Sequence, residues 1–320
     1  MLNRRQWLTL MAAAAATASA PAVLAQSRPT RLLVGATPGG GTDLVARTLA
    51  MTMEKPLAST IVVENRPGAA GNIAASSVAA ARGDSSSLLL AYTSHAINPS
   101  MMKNLPFDPM ADFTPISLVA SSPLLLVANG QLPVTDLPTL LEYAERSGRQ
   151  LSIGIAGLGS ANQLAAELLQ YRTGMRAVSV PYKGAAPAMQ DLLGGQIDLM
   201  ISNLTTVRAF TATGQLKPLA VTTEQSIPEY PGVRPVADVV PDFQFSSWYG
   251  LLGPAGLDAA AAATLETAAR QAAASPVLRE RLAHEGLRPV GSTGAEFRDF
   301  LQSEMARFAQ VVKLTGISMG

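Results

Sequence analysis

Short apolar runs alternate with windows of helical periodicity along most of this chain. Strands are expected at Arg31–Gly35, Thr60–Glu64, Leu88–Tyr92, Ile116–Val119 and Leu124–Asn129, then at Ser152–Ile155, Ala177–Pro181, Leu199–Ile201, Pro218–Val221 and Ser247–Leu252. Helices are expected between them, over Thr42–Lys55, Asn72–Ala81, Leu137–Arg146, Asn162–Thr173, Ala185–Gly194 and Thr206–Gly214. The tail reads as three more, Asp258–Ala274, Pro276–Glu285 and Gly294–Thr315. A helix between two strands carries the chain back to its starting edge, so this order predicts βαβ units and a mostly parallel sheet. The pattern has two centres, Arg31 to about Val119 and about Pro133 to Val221. Two α/β domains with facing loop edges would share one cleft, and ligands of such sheets bind beyond the carboxyl ends of the strands.

Composition removes several classes of function. The 320 residues contain no cysteine, which excludes disulfides, thiolate metal sites and a catalytic thiol. Lys and Arg total 24 against 23 Asp and Glu, with no basic cluster, so nucleic acid is not an expected partner. The first residues read as an export signal: Arg4-Arg5, an apolar stretch from Leu8 to Ala20, then Val23-Leu24-Ala25 before a cleavage point. That stretch is short and interrupted by Thr17, Ser19 and Pro21, which does not suit a membrane span. Residues 1–25 are thus expected to be removed after Ala25 and the remainder to be exported. The twin arginines leave both export routes open.

The turn after the first strand is the strongest local motif. Pro38, Gly39, Gly40, Gly41, Thr42 and Asp43 lead directly into a helix. Glycines let main-chain N–H groups converge without Cβ atoms in the way, and a helix start adds unpaired donors and partial positive charge. This predicts an anion cradle formed by the backbone of Gly39–Thr42, with Gly40 at a position needing positive φ. No lysine follows the last glycine and the dinucleotide fingerprint is absent, so a small carboxylate fits better than a phosphate. The plain alternative is a β–α turn whose Thr42 or Asp43 only caps the helix. A second cradle is expected at Gly157, Gly159, Ser160, Ala161 and Asn162.

Enzymatic chemistry finds little support. The two histidines are His95, after a strand in Thr93-Ser94-His95-Ala96, and His284, in a Glu/Arg-rich helix. Ser160 lacks the flanking glycines of a nucleophile elbow, and no metal-ligand spacing occurs. Other loops after strands carry small donors: Gly71-Asn72, Tyr182-Lys183-Gly184-Ala185 and Ser202-Asn203. Each has a structural alternative. Tyr182 suits a core position, and Lys183 a solvated one.

Longer strings resemble one family. Pro38–Asp43, Val62-Val63-Glu64-Asn65-Arg66-Pro67-Gly68-Ala69-Ala70-Gly71-Asn72-Ile73, His95–Pro99, Leu105–Pro109 and Asp112–Val119 are similar to the Bug receptors. So are Val180–Ala188, Asp191–Met200 and Ser246–Leu251. Bug receptors are periplasmic substrate-binding proteins of tripartite tricarboxylate transporters. The resemblance implies a two-domain Venus-flytrap fold of mixed, mostly parallel sheets joined by two crossing strands, near Ser122–Val127 and Ser246–Leu251. It implies domain 1 from residues 26–123 and 247–320, and domain 2 from 124–246. It also implies a monomer without cofactor that holds a small carboxylate between the domains. That ligand would pass to membrane components of the TctA/TctB kind. The same fold could instead feed a signalling partner, and a hydrolase is the third reading.

The ligand-binding residues implied are Pro38, Gly39, Gly40, Gly41, Thr42 and Asp43, then Gly157, Gly159, Ser160, Ala161 and Asn162, together with Gly71, Asn72, Thr93, Ser94, His95 and Ala96, then Tyr182, Lys183, Gly184, Ala185, Ser202 and Asn203. Two departures from the family pattern stand out. Arg82–Leu88 replaces a common loop, and Asn162-Gln163 stands where the family often has Thr and His.

Overall fold

The computed structural model describes residues 29–318. The expected leader therefore lies outside the described residues. The first part of the chain forms β1 (Thr30–Val34), α1 (Gly41–Leu57), β2 (Ile61–Asn65), α2 (Asn72–Ala79), β3 (Ser87–Tyr92) and α3 (Ser94–Met101). A long strand β4 (Phe113–Asn129) follows. Next come α4 (Leu137–Ser147), β5 (Leu151–Ile155), α5 (Ala161–Thr173), β6 (Ala177–Pro181), α6 (Ala185–Leu193), β7 (Leu199–Asn203), α7 (Leu204–Ala212) and β8 (Leu216–Val221). The chain ends with β9 (Ser246–Pro254), α8 (Ala259–Ala274), α9 (Pro276–His284), β10 (Arg288–Pro289) and α10 (Gly294–Thr315).

The strands form one path, β2-β1-β3-β9-β4-β7-β5-β6, with β8 and β10 also paired to β4. Both flanks are parallel, as the βαβ order predicts: β1 with β2 and β3, β5 with β6 and β7. Pairs along β4 and β9 are antiparallel, which makes the sheet mixed. The two expected runs at Ile116 and Leu124 are a single strand. Its residues through Pro123 pair with β9, and those from Leu124 pair with β7 and β8. The partners change at Pro123/Leu124, inside the expected crossing. The second crossing falls at Phe245–Ser246, where Phe245 N–H donates to Thr222 O and Ser246 pairs with Pro123.

Helices cover both faces of the sheet, which is why its strands are apolar almost throughout. Successive side chains alternate between separate cores. Leu32 and Val34 pack with Val45, Leu49, Leu265 and Leu278, whereas Leu33 packs with Val78, Ile97 and Phe297. Leu125 and Val127 face α6 and α7, while Leu124 and Leu126 face the core under α5 and α10. α10 packs on α3 and β4 and also reaches α5, so it touches elements on both sides of the crossings.

One close approach explains a glycine pair. A Cβ on Gly35 would lie 2.4 Å from the Gly71 Cα, and Gly71 itself has φ 93°. The β1–α1 turn therefore rests directly on the Ala69–Gly71 turn.

Candidate functional site

Three helix starts converge on a cavity of about 250 Å³ between the two sides of the sheet. Its wall includes Thr42 from the first turn of α1, Thr93-Ser94 from the start of α3, and Gly157 to Asn162 ahead of and into α5. Ala70, Tyr92, Ser247, Trp248 and Tyr249 complete it. Among the described residues, no charged side chain lines it. The first N–H groups of a helix have no intrahelical acceptor and carry its positive end. A cavity facing three such ends is polarised for an anion without holding a cation.

The two glycine turns are built alike. Gly39 (φ 85°) donates its N–H to Asp43 Oδ2 at 3.1 Å, and Gly159 (φ 70°) donates to Gln163 Oε1 at 2.8 Å. In each, a side chain four residues on closes the turn over a helix start. Asp43 does more: it accepts from Arg47 at 2.8 Å and from Asn65 at 2.9 Å, and Asn65 also holds Ala36 O. The Arg47 hydrogen bond, chiefly, holds the Asp43 carboxyl below its ordinary pKa, with Gly39 N–H and Asn65 adding to it against burial. Asp43 is thus a brace. The Gly39 N–H, expected in the cradle, is already spent on it.

Pro38, Gly39, Gly40 and Gly41 are exposed and outside the cavity wall; Thr42 alone of that string lines it. Gly40 is extended, with φ −87° and ψ 174°, so the positive φ falls at Gly39 instead. A Cβ at Gly40 would meet nothing nearer than Thr37 O at 3.9 Å. The second string enters the wall whole, as Gly157, Gly159, Ser160, Ala161 and Asn162.

Thr93 and Ser94 line the cavity, but the expected loop around them is helix α3. This turns His95 and Ala96 into the core. His95 Nε2 donates to Pro109 O at 3.1 Å, and the ring stacks on Phe107 and meets Phe113 edge-on. Burial pushes its pKa down to about 4, against the pull of the Pro109 carbonyl. Gly71 packs under Tyr92. Asn72 is buried, accepting from Asn98 at 2.7 Å.

Tyr182, Lys183, Gly184 and Ala185 also lie off the wall. The Tyr182 hydroxyl donates to Asp191 at 2.7 Å; burial and that neighbour raise it to about 12. Ser202 is buried in β7, and Asn203 acts at one remove by accepting from the Ser247 hydroxyl at 3.2 Å. Two small effects follow. Gly40→Ala and Lys183→Ala should each keep the affinity of a ligand held in the cavity within about threefold, as changes at exposed sites usually do. Calorimetry on both variants checks this, and a tenfold loss in either contradicts the placement.

The sequence reading did not name Ala70, Tyr92, Leu158, Ser247, Trp248 or Tyr249 as ligand contacts. Ala69 and Ala70 take left-handed backbone, φ 47° and 53°, an uncommon conformation for residues with a Cβ. Ser94 Oγ and Asn98 Nδ2 pin this turn by donating to Ala70 O at 2.8 and 3.2 Å. Nothing local in Ala-Ala signals that. Tyr92 and Tyr249 have phenol pKa values raised chiefly by burial, so both hydroxyls stay neutral. Several lining side chains are already committed. Ser160 donates to Gly157 O, and one Asn162 N–H goes to Ile201 O.

A larger groove of about 630 Å³ lies near the C-terminal ends of α4 and α5, beside Glu142, Glu145, Arg149 and Arg176. Helix C-termini carry the wrong sign for a carboxylate, and Arg149 is paired with Asp198. Among the described residues, no cluster of His, Cys, Asp or Glu could hold a metal ion. No described helix is long and apolar enough to cross a membrane.

The model of a family described as tripartite tricarboxylate transporter family receptor matches residues 45–317. The chain belongs to that family. The receptor is similar to protein BugT of Bordetella pertussis, 34% identical over 296 residues, covering 92% of this chain and 91% of BugT. Among solved structures it resembles the periplasmic binding protein BugD, with TM-score 0.78 and 32% identity over 91% of this chain and 99% of BugD. It also resembles an R. palustris protein solved with adipate, with TM-score 0.81 and 33% identity over 91% of this chain and 98% of that one. The receptor therefore has the α/β periplasmic-binding-protein fold that the sequence strings implied.

Proposed function

We propose that the receptor captures a small carboxylate in the 250 Å³ cavity and delivers it to the membrane components of a tripartite tricarboxylate transporter, of the TctA/TctB kind. One observation carries this reading: three helix N-termini meet on one cavity whose wall, among the described residues, has no charged side chain. The carboxylate lies against the first turns of α1, α3 and α5, with Thr42, Ser94, Gly159, Ser160, Ala161 and Asn162 nearest. Main-chain donors and water hold it, because most side-chain donors there already have acceptors. Residues 26–123 with 247–320 move against 124–246 about the crossings at Pro123/Leu124 and Phe245–Ser246. A ligand touching both sides has more contacts in the closed form and so favours it. The receptor works in the periplasm as a monomer, after cleavage following Ala25.

The test is a thermal-shift screen with malate, adipate, citrate, glutamate and benzoate, paired with mass spectrometry of any ligand that co-purifies. A carboxylate present at 100 times its Kd should stabilise the fold by about 2.7 kcal/mol, and binding should proceed without turnover. No shift with any acid, from protein shown to carry no ligand, would remove the reading.

A further inference from the structure

Arg307, on α10, sits where the second crossing meets the cavity wall. Its guanidinium donates through Nη1 to the Gln244 carbonyl. It also lies over the rings of Phe245 and Phe308, at 4.8 and 4.7 Å from their centroids. Phe245 is in turn tied across to the other crossing. Its N–H donates to Thr222 O at 2.9 Å. The Thr222 hydroxyl accepts from Leu124 N–H at 3.1 Å and reaches Phe245 O at 2.7 Å. Arg307 therefore grips the segment at which both crossings touch.

The same guanidinium pairs with Glu304, through Nε at 3.1 Å and Nη2 at 2.5 Å, both on Oε1. The other carboxylate oxygen accepts the Trp248 indole N–H at 3.1 Å. Trp248 belongs to the cavity wall, and its backbone N–H donates to the Thr93 hydroxyl at 3.0 Å. The contacts run without a gap from Gln244 through Arg307, Glu304 and Trp248 to Thr93. Neither α10 residue lines the cavity. Glu304 is only 6% exposed. A partly buried ion pair like this adds little net stability, but it fixes geometry at both ends.

We propose that Glu304 and Arg307 are positioning residues that tie the cavity wall at Trp248 to the crossing segment Gln244–Phe245. Rotation of the two halves and placement of the wall then become one event. The inference rests on the reading that the halves move about these crossings, but its main test needs no ligand.

The sequence supplies clean probes. In the full chain carrying Trp7→Phe, Trp248 is the sole tryptophan, and the absence of cysteine leaves introduced thiols unique. Spin labels at Val62→Cys and Val178→Cys, both exposed, sit on the outermost strands β2 and β6. Acrylamide quenching of Trp248 reads the wall, and the distance between labels reads the halves. Arg307→Met, on the crossing side, should raise the quenching constant about threefold, the size of effect expected between coupled contacts. Glu304→Gln, on the wall side, should shift the label distance by about 2 Å or more. Arg307→Lys, which keeps a cation beside Glu304, should bring the quenching part of the way back.

A role in stability alone would lower the melting temperature of all three variants and leave native-state quenching and label distance at wild-type values. That result overturns the proposal. If Arg307→Met does not fold, Glu304→Gln and Arg307→Lys carry the same two readouts. Closure is judged separately, on the unsubstituted background. An unchanged label distance with a carboxylate that raises the melting temperature counts against moving halves, whatever the variants do.

Discussion

Asn162→Asp should weaken carboxylate binding by roughly 30- to 150-fold while leaving the fold intact. Asn162 is in the first turn of α5 and lines the cavity, where its Nδ2 donates to Ile201 O at 2.9 Å. The substitution has two opposed effects on stability. A carboxylate in a first helical turn is favourable by roughly 0.3–1 kcal/mol. The lost hydrogen bond costs roughly 0.5–1.5 kcal/mol. The two nearly cancel, so the melting temperature moves little. Binding has no such offset. A fixed negative charge would face the ligand carboxylate in a cavity that, among the described residues, has no lining cation, and like charges about 4 Å apart repel by about 4 kcal/mol at an effective dielectric of 20. Part of that is relieved by protonation or water, leaving a loss of roughly 2–3 kcal/mol, or 30- to 150-fold in Kd. Calorimetry with whichever acid stabilises the unsubstituted receptor makes the measurement. Unchanged affinity would mean that the carboxylate lies elsewhere.

The second large effect is on acid stability. His95 has a pKa of about 4 in the fold against an ordinary 6.5. Between those values the unfolded chain takes up a proton that the folded chain refuses. Stability from this group is therefore complete above about pH 6.5, falls as the pH drops, and is fully lost near pH 4. The span corresponds to roughly 3 kcal/mol. Asp43, Glu64, Asp108 and Asp136 have depressed values, so they add losses only as the pH falls through the carboxylate range. His95→Gln separates the two contributions. It can still donate to Pro109 O, but it does not titrate. Urea melts at pH 7 and pH 4.5 should show a much smaller drop for His95→Gln than for the unsubstituted receptor. Equal drops would show that His95 is not the group responsible.

His95 also marks where the sequence stopped being legible. The sequence places Thr93-Ser94-His95-Ala96 in a loop because it directly follows the strand Leu88–Tyr92. The segment is helical because packing on α10 decides it, and Phe107 and Phe113 receive the imidazole. Strands and long helices were legible because their apolar period is set by burial on both faces of a sheet. The expected ends of β6 and α10 coincide with those observed. Of the two glycine turns, the second lies in the cavity wall, whereas of the first only Thr42 does. In the first, the acid that closes the turn also consumes an N–H, a long-range choice involving Asn65 that spacing does not reveal. Ala70, Ser247 and Tyr249 enter the cavity through tertiary approach alone.

The order of strands has a consequence for how the chain reaches this state. β9 lies between β3 and β4, yet it is made after every other strand except β10. The sheet from Leu124 through β8 is contiguous in sequence and has all its partners by the time Phe245 appears. The opposite side must wait. Until Ser246–Pro254 is available, β3 has only β1 beside it, and the apolar face of β3 and α3 stays open until Phe297, Leu301 and Phe308 arrive. A chain made from its N-terminus therefore completes its middle first and its two ends last and together. Contacts between residues this far apart close slowly and leave sticky surface uncovered meanwhile. The central strand of the sheet is the keystone, set after the stones on either side.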